Sequence, residues 1–188
     1  YQRTLEDLGV EIHYNTTAKA TTLKSYPHDT VIIATGSTPR ILRLPGNHDM
    51  YPAERIFSGE ITPGNHTVII GGGLVGCELA LDLAENGRQV TILEALPEIL
   101  SAGAPVPHMN KIMLKDLLNF HHVQQIAGAG VKCIEDRTVT YVKDKEEHHL
   151  EADTFVHAIG YTSNNTLYEQ LSLEENDIYL LGDARRVR

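Results

Sequence analysis

The stretch that decides the fold is Thr67-Val-Ile-Ile-Gly-Gly-Gly-Leu-Val-Gly-Cys-Glu78. Its first residues, 67–70, form a β-branched run that is typical of a short buried parallel strand. The amphipathic run 74–86 then predicts a helix that ends at Gly87, because glycine readily takes the left-handed conformation that terminates helices. The run 89–94 predicts the next strand. The predicted apolar stripe of the helix consists of Leu74, Cys77, Leu81 and Ala84.

The glycines of this stretch follow the G-x-G-x-x-G spacing, and each has a distinct steric task. Gly71 allows the tight turn out of the strand, Gly73 lets the backbone approach a pyrophosphate, and Gly76 lets the helix pack closely on the sheet. Free N–H groups at the helix N-terminus then bind the phosphates. The sequence therefore predicts a dinucleotide site formed by Gly71, Gly72, Gly73, Leu74, Val75 and Gly76.

Glu94 ends the second strand, eighteen residues after Gly76. A carboxylate at this place can accept hydrogen bonds from the adenosine ribose hydroxyls. A 2′-phosphate at about 4 Å would be repelled by roughly 4 kcal/mol at an effective dielectric constant of about 20. Residues 95–97 supply no Arg or Lys, and Arg88 precedes the strand and should lie at its far end. The sequence therefore predicts NADH rather than NADPH.

The remaining pattern predicts an α/β fold, with a Rossmann-like parallel sheet and a small antiparallel meander. Residues 1–8 should form a helix that ends at Gly9, and residues 42–63, with their prolines, an irregular connector between lobes. A later helix should carry Ile112, Leu114, Leu117 and Leu118 on its apolar side. The predicted strands are 10–14, 16–23, 31–34, 122–126, the three meander strands 130–134, 138–143 and 147–150, then 153–160 and 177–183.

Composition excludes several classes of function. The net charge of −9 over 188 residues argues against nucleic acid or an anionic membrane as a partner. No apolar run reaches the length of a membrane span. Cys77 and Cys133 form no C-x-x-C pair, so we predict reduced thiols in a cytoplasmic protein, with Cys77 as a packing residue rather than a reactive one. The ten histidines lack the spacing of a metal site, and none is predicted.

Four motifs in a fixed order carry a family resemblance. Ala34-Thr35-Gly36, the glycine fingerprint, Ala158-Ile159-Gly160 and Gly182-Asp183 resemble the two-dinucleotide flavoprotein reductases related to glutathione reductase. The motifs Ala-Ile-Gly-Tyr161 and Leu-Gly-Asp-Ala-Arg-Arg186 resemble one branch of this family more closely than the others. That branch is the C-terminal half of NADH:flavin oxidoreductases of the old yellow enzyme type, including 2-enoate reductase and 2,4-dienoyl-CoA reductase.

The resemblance implies an NAD(P)-binding domain inserted into an FAD-binding domain. The expected domains of the chain are a partial FAD-binding domain at 1–40, a crossing linker at 41–63, the NAD(P)-binding domain at 64–157 and a return to the partial FAD-binding domain at 158–188. The family's first G-x-G-x-x-G, which holds the FAD pyrophosphate, and its redox-active cysteine pair are absent from this sequence. The resemblance therefore predicts a fragment of a longer polypeptide whose missing part holds the other FAD half and a catalytic barrel. FMN and an iron–sulfur cluster are possible in that part.

The resemblance also implies roles for single residues. Glu78 matches the family acid near the nicotinamide end of the cofactor, although a solvated charge in the first helical turn is the alternative. Gly160 matches the crossing glycine whose backbone lies against bound NAD(H). Asp183, after Gly182, matches the acid that holds the FAD ribityl chain, and Thr35 and Gly36 would lie near the same flavin.

The function implied for the intact protein is hydride transfer from NADH to flavin, and on to an activated alkene such as an enoate or enoyl thioester. This chain alone is expected to bind NADH without turnover. Three alternatives stay open: a non-catalytic module that binds NAD or ADP, the nucleotide lobe of a related flavoprotein amine dehydrogenase, and an unrelated Rossmann enzyme such as a methyltransferase. The paired A-x-G strands and the Gly-Asp end argue against the last.

Overall fold

The structure is a computed structural model that describes residues 1–46, 49–103, 105–173 and 177–187. It divides into two compact units. The flanking unit comprises Tyr1–Gly36 and Asn164–Arg186, and the inserted unit comprises Ser37–Ser163 with Val187. The helices are α1 (Gln2–Asp7), α2 (Ala20–Lys24), α3 (Ala53–Phe57), α4 (Leu74–Glu85), α5 (His108–Phe120) and α6 (Thr166–Leu171). The strands are β1 (Val31–Ile33), β2 (Ser37–Pro39), β3 (Met50–Pro52), β4 (His66–Ile70), β5 (Gln89–Glu94), β6 (Gln124–Ala127), β7 (Gly130–Glu135), β8 (Thr138–Lys143), β9 (Glu146–Glu151), β10 (Thr154–His157), β11 (Tyr161–Ser163) and β12 (Ile178–Leu180).

The inserted unit is built on a five-stranded parallel sheet in the order β3-β10-β4-β5-β6. Alternate residues of its strands point to opposite faces, so the sheet buries apolar side chains on both. Ile69 and Val156 join helices α3, α4 and α5 in one core cluster. Val68 and Phe155 join strands of the antiparallel meander β7-β8-β9 in the other. The predicted α/β class, with its parallel sheet and meander, is confirmed.

Helix α4 ends where glycine was predicted to end it. Gly87 has φ +77, its N–H donates to the Ala84 carbonyl (2.9 Å), and the N–H of Arg88 donates to the Leu83 carbonyl (3.1 Å). This pair of bonds is the Schellman arrangement. The predicted apolar stripe is partly wrong, because Leu74 is exposed. The buried residues of the helix are Gly76, Cys77, Leu79, Ala80 and Leu83.

Three segments differ from their predicted structure. Residues 10–14 form no strand, and residues 20–24 of the predicted strand 16–23 form helix α2 instead. The segment 42–63, predicted to be irregular, contains β3 and α3. Strand β3 pairs only at its β10 side among the described residues, and Pro52 is compatible with such an edge position because no neighbour needs its missing N–H. Another strand, β2, pairs with β11 in the inserted unit.

The flanking unit has a much smaller core. Strands β1 and β12 pair in parallel, and Val31, Ile33 and Leu171 are its buried cluster. Helices α2 and α6 contribute partly buried residues to the same cluster, such as Leu23 and Leu167. Across both units, the helices within the described ranges are all too short or too polar to cross a bilayer.

Candidate nucleotide-binding site

The turn between β4 and α4 is packed so closely that two of its glycines leave no room for a side chain. The N–H of Gly71 donates to the Leu93 carbonyl (2.9 Å), and its φ is +111. A Cβ added at Gly71 would lie 2.5 Å from the carbonyl oxygen of Ala158, and one added at Gly76 would lie 2.0 Å from that of Gly71. Both distances are far shorter than a van der Waals contact, so the turn requires glycine at these positions.

The next two glycines of the turn have opposite surroundings. A Cβ at Gly72 would lie 2.7 Å from Cγ2 of Ile99, and the Gly72 carbonyl accepts a hydrogen bond from the N–H of Leu100 (2.7 Å). The loop after β5 therefore closes over Gly72. At Gly73, by contrast, an added Cβ would meet no described heavy atom within 4 Å. The backbone is thus open at Gly73, directly before helix α4.

Helix α4 begins at this open position. Gly73 is its N-cap and has φ −71, and no side chain caps the helix. The first N–H groups of a helix have no acceptor within the helix, so those of Leu74, Val75 and Gly76 point out of its N-terminus. Together with the positive end of the helix dipole, they form an arrangement suited to an anion.

Glu94 lies beside the turn and is nearly buried, at 7% exposed. One carboxylate oxygen accepts a hydrogen bond from the N–H of Gly72 (2.5 Å), and the other accepts one from the N–H of Leu96 (2.8 Å). A carboxylate has about four lone-pair positions, so two remain for a ligand hydroxyl. The sequence suggested only that Glu94 accepts hydrogen bonds from the adenosine ribose, and not that it also binds the turn. The bond to Leu96 spans two positions, but nothing local indicated the bond to Gly72, which lies 22 positions away.

Cys77 lies just inside α4 and is fully buried. Its thiol donates to the Gly72 carbonyl (3.4 Å). Burial raises the pKa of Cys77 to about 12, with a further contribution from the Glu94 and Glu78 carboxylates. The residue therefore remains a protonated thiol at neutral pH and acts in packing, as predicted.

Glu78 is exposed on the surface of α4. It is the fifth residue of the helix, and no acidic residue lies in the first turn. The placement in the first turn was therefore wrong by one residue: the helix begins at Leu74, as predicted, and its first turn ends before Glu78. The dipole of the helix end consequently acts on this carboxylate less strongly than expected.

Gly160 lies on the other side of the turn from Glu94. Strand β10 is the neighbour of β4 opposite to β5, and the N–H of Ala158 donates to the Ile70 carbonyl (2.8 Å). Gly160 is exposed and has φ +91, which favours glycine. Along the carboxyl edge of the sheet the order is therefore Gly160, the glycine turn, then Glu94. Open α/β sheets bind ligands along this edge.

Two residues near Gly160 were missed by the sequence analysis as site residues. The hydroxyl of Tyr161 donates to the carboxylate of Glu54, which belongs to α3. Burial raises the pKa of Tyr161, and the hydrogen bond to Glu54 raises it further. Glu54 is 107 positions away in the sequence, within a segment predicted to be irregular, so no local signal indicated the pair.

Three described cations in β5, its flanking segments and α5 contact protein groups other than Glu94. The Arg88 guanidinium donates to the carbonyls of Pro63 (2.5 Å) and Gly64 (2.8 Å), which precede β4, so it lies at the far end of the sheet as predicted. Lys111 and Lys115 of α5, which the sequence analysis did not consider, both pair with Glu98. The hydrogen bond from Lys115 and the charge of Lys111 lower the pKa of that carboxyl.

The flanking unit brings its predicted FAD residues to one edge. Thr35 and Gly36 follow β1, Gly182 and Asp183 follow β12, and the N–H of Leu181 donates to the Ile33 carbonyl (2.8 Å). Because the two strands are parallel, both pairs lie at their carboxyl ends. The Thr35 hydroxyl donates to the Asn164 carbonyl (2.5 Å). Gly36 and Gly182 both have positive φ, +71 and +61.

Among residues 1–46, 49–103, 105–173 and 177–187, no three His, Cys, Asp or Glu side chains are grouped as a metal site would require. Both cysteines are free thiols.

Comparison with known proteins adds independent evidence. Residues 4–185 match the family model described as pyridine nucleotide-disulphide oxidoreductase. The chain is 39% identical over its whole length to a cinnamate reductase of Clostridium sporogenes, and 32% identical over 97% of its length to an NADH oxidase of Thermoanaerobacter brockii. It spans 28% and 29% of the lengths of these two relatives.

One solved structure resembles the fold over the entire chain. It is a 2-naphthoyl-CoA reductase in complex with 2-naphthoyl-CoA, with a TM-score of 0.86 and 24% sequence identity. The similarity covers 100% of this chain and 28% of that one. At this identity the match shows the fold alone.

Proposed function

Because this chain belongs to the pyridine nucleotide-disulphide oxidoreductase family, we propose that its inserted unit is the NADH-binding part of a flavin-dependent oxidoreductase. Members of the family bind FAD and NAD(H). The chain spans less than a third of the length of its two relatives, so the rest of the polypeptide is the proposed partner. The proposed compartment is the cytoplasm, in keeping with the two free cysteines.

The observation that carries the proposal is the open backbone at Gly73. The neighbouring glycines are required by protein packing, but nothing described in the protein fills the space beside Gly73. That space adjoins the N–H groups of Leu74, Val75 and Gly76, which suit the pyrophosphate of a dinucleotide. Gly71 and Gly72 shape the turn around it. The residues present therefore fit the cofactor that the family binds.

We infer the positions of the two ends of the cofactor from the neighbours of the turn. The free lone pairs of Glu94 would accept hydrogen bonds from the adenosine ribose hydroxyls, and its buried charge would disfavour a 2′-phosphate. Gly160, on the opposite side of the turn, would lie against the nicotinamide half. Glu78 is proposed for the same half, although its exposure makes it the least constrained of these residues.

The flanking unit is the proposed contribution to an FAD site. Thr35, Gly36, Gly182 and Asp183 share one edge of the β1–β12 pair and would contact the flavin once the other FAD half is present. The bound flavin supplies the acceptor for hydride from the nicotinamide. This chain's own residues would hold and orient the dinucleotide, and none needs to act as an acid or base in that transfer.

For the whole protein we infer reduction of an activated alkene. Two similar proteins are named for reduction of cinnamate and of 2-naphthoyl-CoA, an unsaturated carboxylate and an aromatic thioester. The proposed substrate is accordingly an enoate or an enoyl thioester. NADH would be oxidised to NAD⁺, and the alkene would gain a hydride equivalent and a proton. FMN and an iron–sulfur cluster are proposed for the rest of the polypeptide, together with the catalytic barrel.

The test is a titration of the 188-residue chain with NADH, in which the fluorescence of the nucleotide reports binding. Wild type should bind NADH saturably, and Gly73→Val should weaken binding by about tenfold or more, equivalent to about 1.4 kcal/mol. Gly130→Val is the matched control, because an added Cβ there also meets no described atom within 4 Å, but on β7 of the meander rather than before helix α4. Equal loss in both variants, or no binding by folded wild type, would contradict the proposal.

A further inference from the structure

Besides the pairing of β11 with β2, three hydrogen bonds within the inserted unit hold the turn that contains Gly160. The Gly160 carbonyl accepts from the N–H of Arg40 (2.9 Å), and the Tyr161 carbonyl accepts from Nε of Arg40 (3.1 Å). The third bond is made by the Tyr161 side chain, whose hydroxyl donates to Glu54. Both bonds from Arg40 end at a backbone carbonyl. The Tyr161–Glu54 bond joins two side chains, so it can be removed by substituting either partner.

Glu54 is anchored independently of the turn. It belongs to α3, where its neighbours Ala53 and Ile56 are buried in the core cluster that also contains Ile69 of β4. Helix α3 directly follows β3, which pairs with β10, the strand that leads into Gly160. The Tyr161–Glu54 bond thus connects the turn to a helix fixed in the core. Glu54 and Tyr161 are both partly buried, which protects the bond from water.

The backbone conformation at Gly160 is not enclosed by neighbouring atoms. Gly160 has φ +91, and an added Cβ would meet no described heavy atom within 4 Å. Glycine has more backbone freedom than any other residue when its surroundings do not restrain it, because it has no Cβ. The hydrogen bonds of this exposed turn therefore contribute to keeping it in one shape.

The position of the turn determines which half of a ligand it would affect. Glu94 follows β5, on one side of β4, whereas Gly160 follows β10, on the other. With the adenosine ribose at Glu94 and the pyrophosphate at the N-terminus of α4, the nicotinamide half extends toward Gly160. We propose that Tyr161 and Glu54 are positioning residues that hold the Gly160 turn in shape for the nicotinamide half of the dinucleotide. This inference rests on the NADH site proposed above.

The experiment compares NADH with ADP, which lacks the nicotinamide half, by calorimetric titration of the 188-residue chain. Tyr161→Phe removes only the hydroxyl, and Glu54→Ala removes its acceptor. Each should weaken NADH binding by about threefold to tenfold, the range of one lost hydrogen bond, and leave ADP binding within about twofold of wild type. Glu54→Gln keeps an acceptor oxygen and should recover most of the affinity lost in Glu54→Ala.

Two controls separate positioning from general damage. Tyr141→Phe removes a hydroxyl from β8 of the same unit, away from the turn, and should leave both affinities unchanged. The double variant Tyr161→Phe with Glu54→Ala should lose no more affinity than either single variant, because both remove one interaction.

The outcomes distinguish this inference from the proposed function. An unchanged NADH-to-ADP affinity ratio in Tyr161→Phe and Glu54→Ala, with normal wild-type binding, overturns the inference alone. Equal weakening of NADH and ADP also overturns it, since the defect would then be structural. A folded wild-type chain that binds neither nucleotide overturns the proposed site and this inference together.

Discussion

The glycines of the two units serve different physical purposes. In the inserted unit, a Cβ at Gly71, Gly72 or Gly76 would come within 2.7 Å of another atom. In the flanking unit, Gly36 and Gly182 have φ of +71 and +61, but an added Cβ at either meets no described atom within 4 Å. The first group is required by packing, and the second only by backbone conformation.

The same difference appears in the cores. The sheet of the inserted unit is buried on both faces by two separate clusters, whereas the flanking unit has Val31, Ile33 and Leu171 as its buried cluster. A unit with so small a core has little apolar burial to offset its conformational entropy. The comparison indicates that the inserted unit is the self-supporting part of the chain, and that packing fixes the shape of the turn proposed to bind the dinucleotide.

The largest expected effect is the difference in unfolding free energy between substituting a glycine required by packing and one required only by backbone conformation. Gly76→Ala places a Cβ 2.0 Å from the Gly71 carbonyl oxygen, so we expect a loss of about 3 kcal/mol or more in unfolding free energy. Gly36→Ala introduces only backbone strain and should cost about 1–2 kcal/mol. Urea unfolding of both variants measures the difference. Equal losses would remove the basis of the comparison.

A smaller loss is expected from Glu94→Ala, which leaves the N–H groups of Gly72 and Leu96 without their acceptor. The expected cost is about 2–3 kcal/mol, since an unsatisfied buried donor costs about 1–3 kcal/mol. Glu94→Gln retains one acceptor oxygen and should cost less, while its lost charge should reduce any preference for NADH over NADPH.

The exposed Glu78 is the control for Glu94. Glu78→Ala should change the unfolding free energy by less than about 0.5 kcal/mol, as is usual for surface substitutions. Urea unfolding gives the stabilities, and parallel NADH and NADPH titrations give the preference. A Glu94→Ala variant as stable as Glu78→Ala would show that the carboxylate does not brace the turn.

The smallest expected effect is a dependence of stability on pH in the inserted unit. Burial lowers the pKa of His66 and of His157, so the folded chain favours their neutral forms more than the unfolded chain does. Their contribution is complete above the unfolded pKa of about 6.5 and is lost as the pH falls toward the folded values. The slope cannot exceed about 1.4 kcal/mol per pH unit for each histidine.

Unfolding free energy measured from about pH 7.5 to pH 5 tests this dependence. The double variant His66→Gln with His157→Gln carries no titrating imidazole at either position, so its profile should be flatter than that of wild type. If the two profiles have the same slope, other groups must account for the acid sensitivity.

The sequence predicted what is encoded locally and failed where distant segments determine structure. The turn, its strands and the end of α4 at Gly87 were correct because glycine spacing and β-branched runs act over a few residues. Strand β3 was missed because it is defined by pairing with β10, about a hundred positions away. Residues 10–14 alternate like a strand but gain no pairing partner in the described chain, so alternation alone was insufficient.

The site shows the same limit. Gly71, Gly73 and Gly76 could be assigned distinct tasks from spacing alone. The packing at Gly71 and Gly76 agrees with their tasks, and that of Gly73 stays a prediction. The second role of Glu94 and the Tyr161–Glu54 bond depend on contacts across the sheet edge, for which the sequence holds no local pattern. Leu74, at the start of α4, was wrongly predicted to be buried, because helical periodicity does not reveal where the sheet stops covering the helix.

The most direct test of the central claim is an amide-shift experiment on the ¹⁵N-labelled chain during titration with NADH. The account predicts that the largest shift changes occur at the N–H groups of Gly73, Leu74, Val75 and Gly76, with smaller ones at Gly160 and none at Gly36 or Gly182. Saturable changes confined to the flanking unit, or an unperturbed turn at saturating NADH, would contradict it.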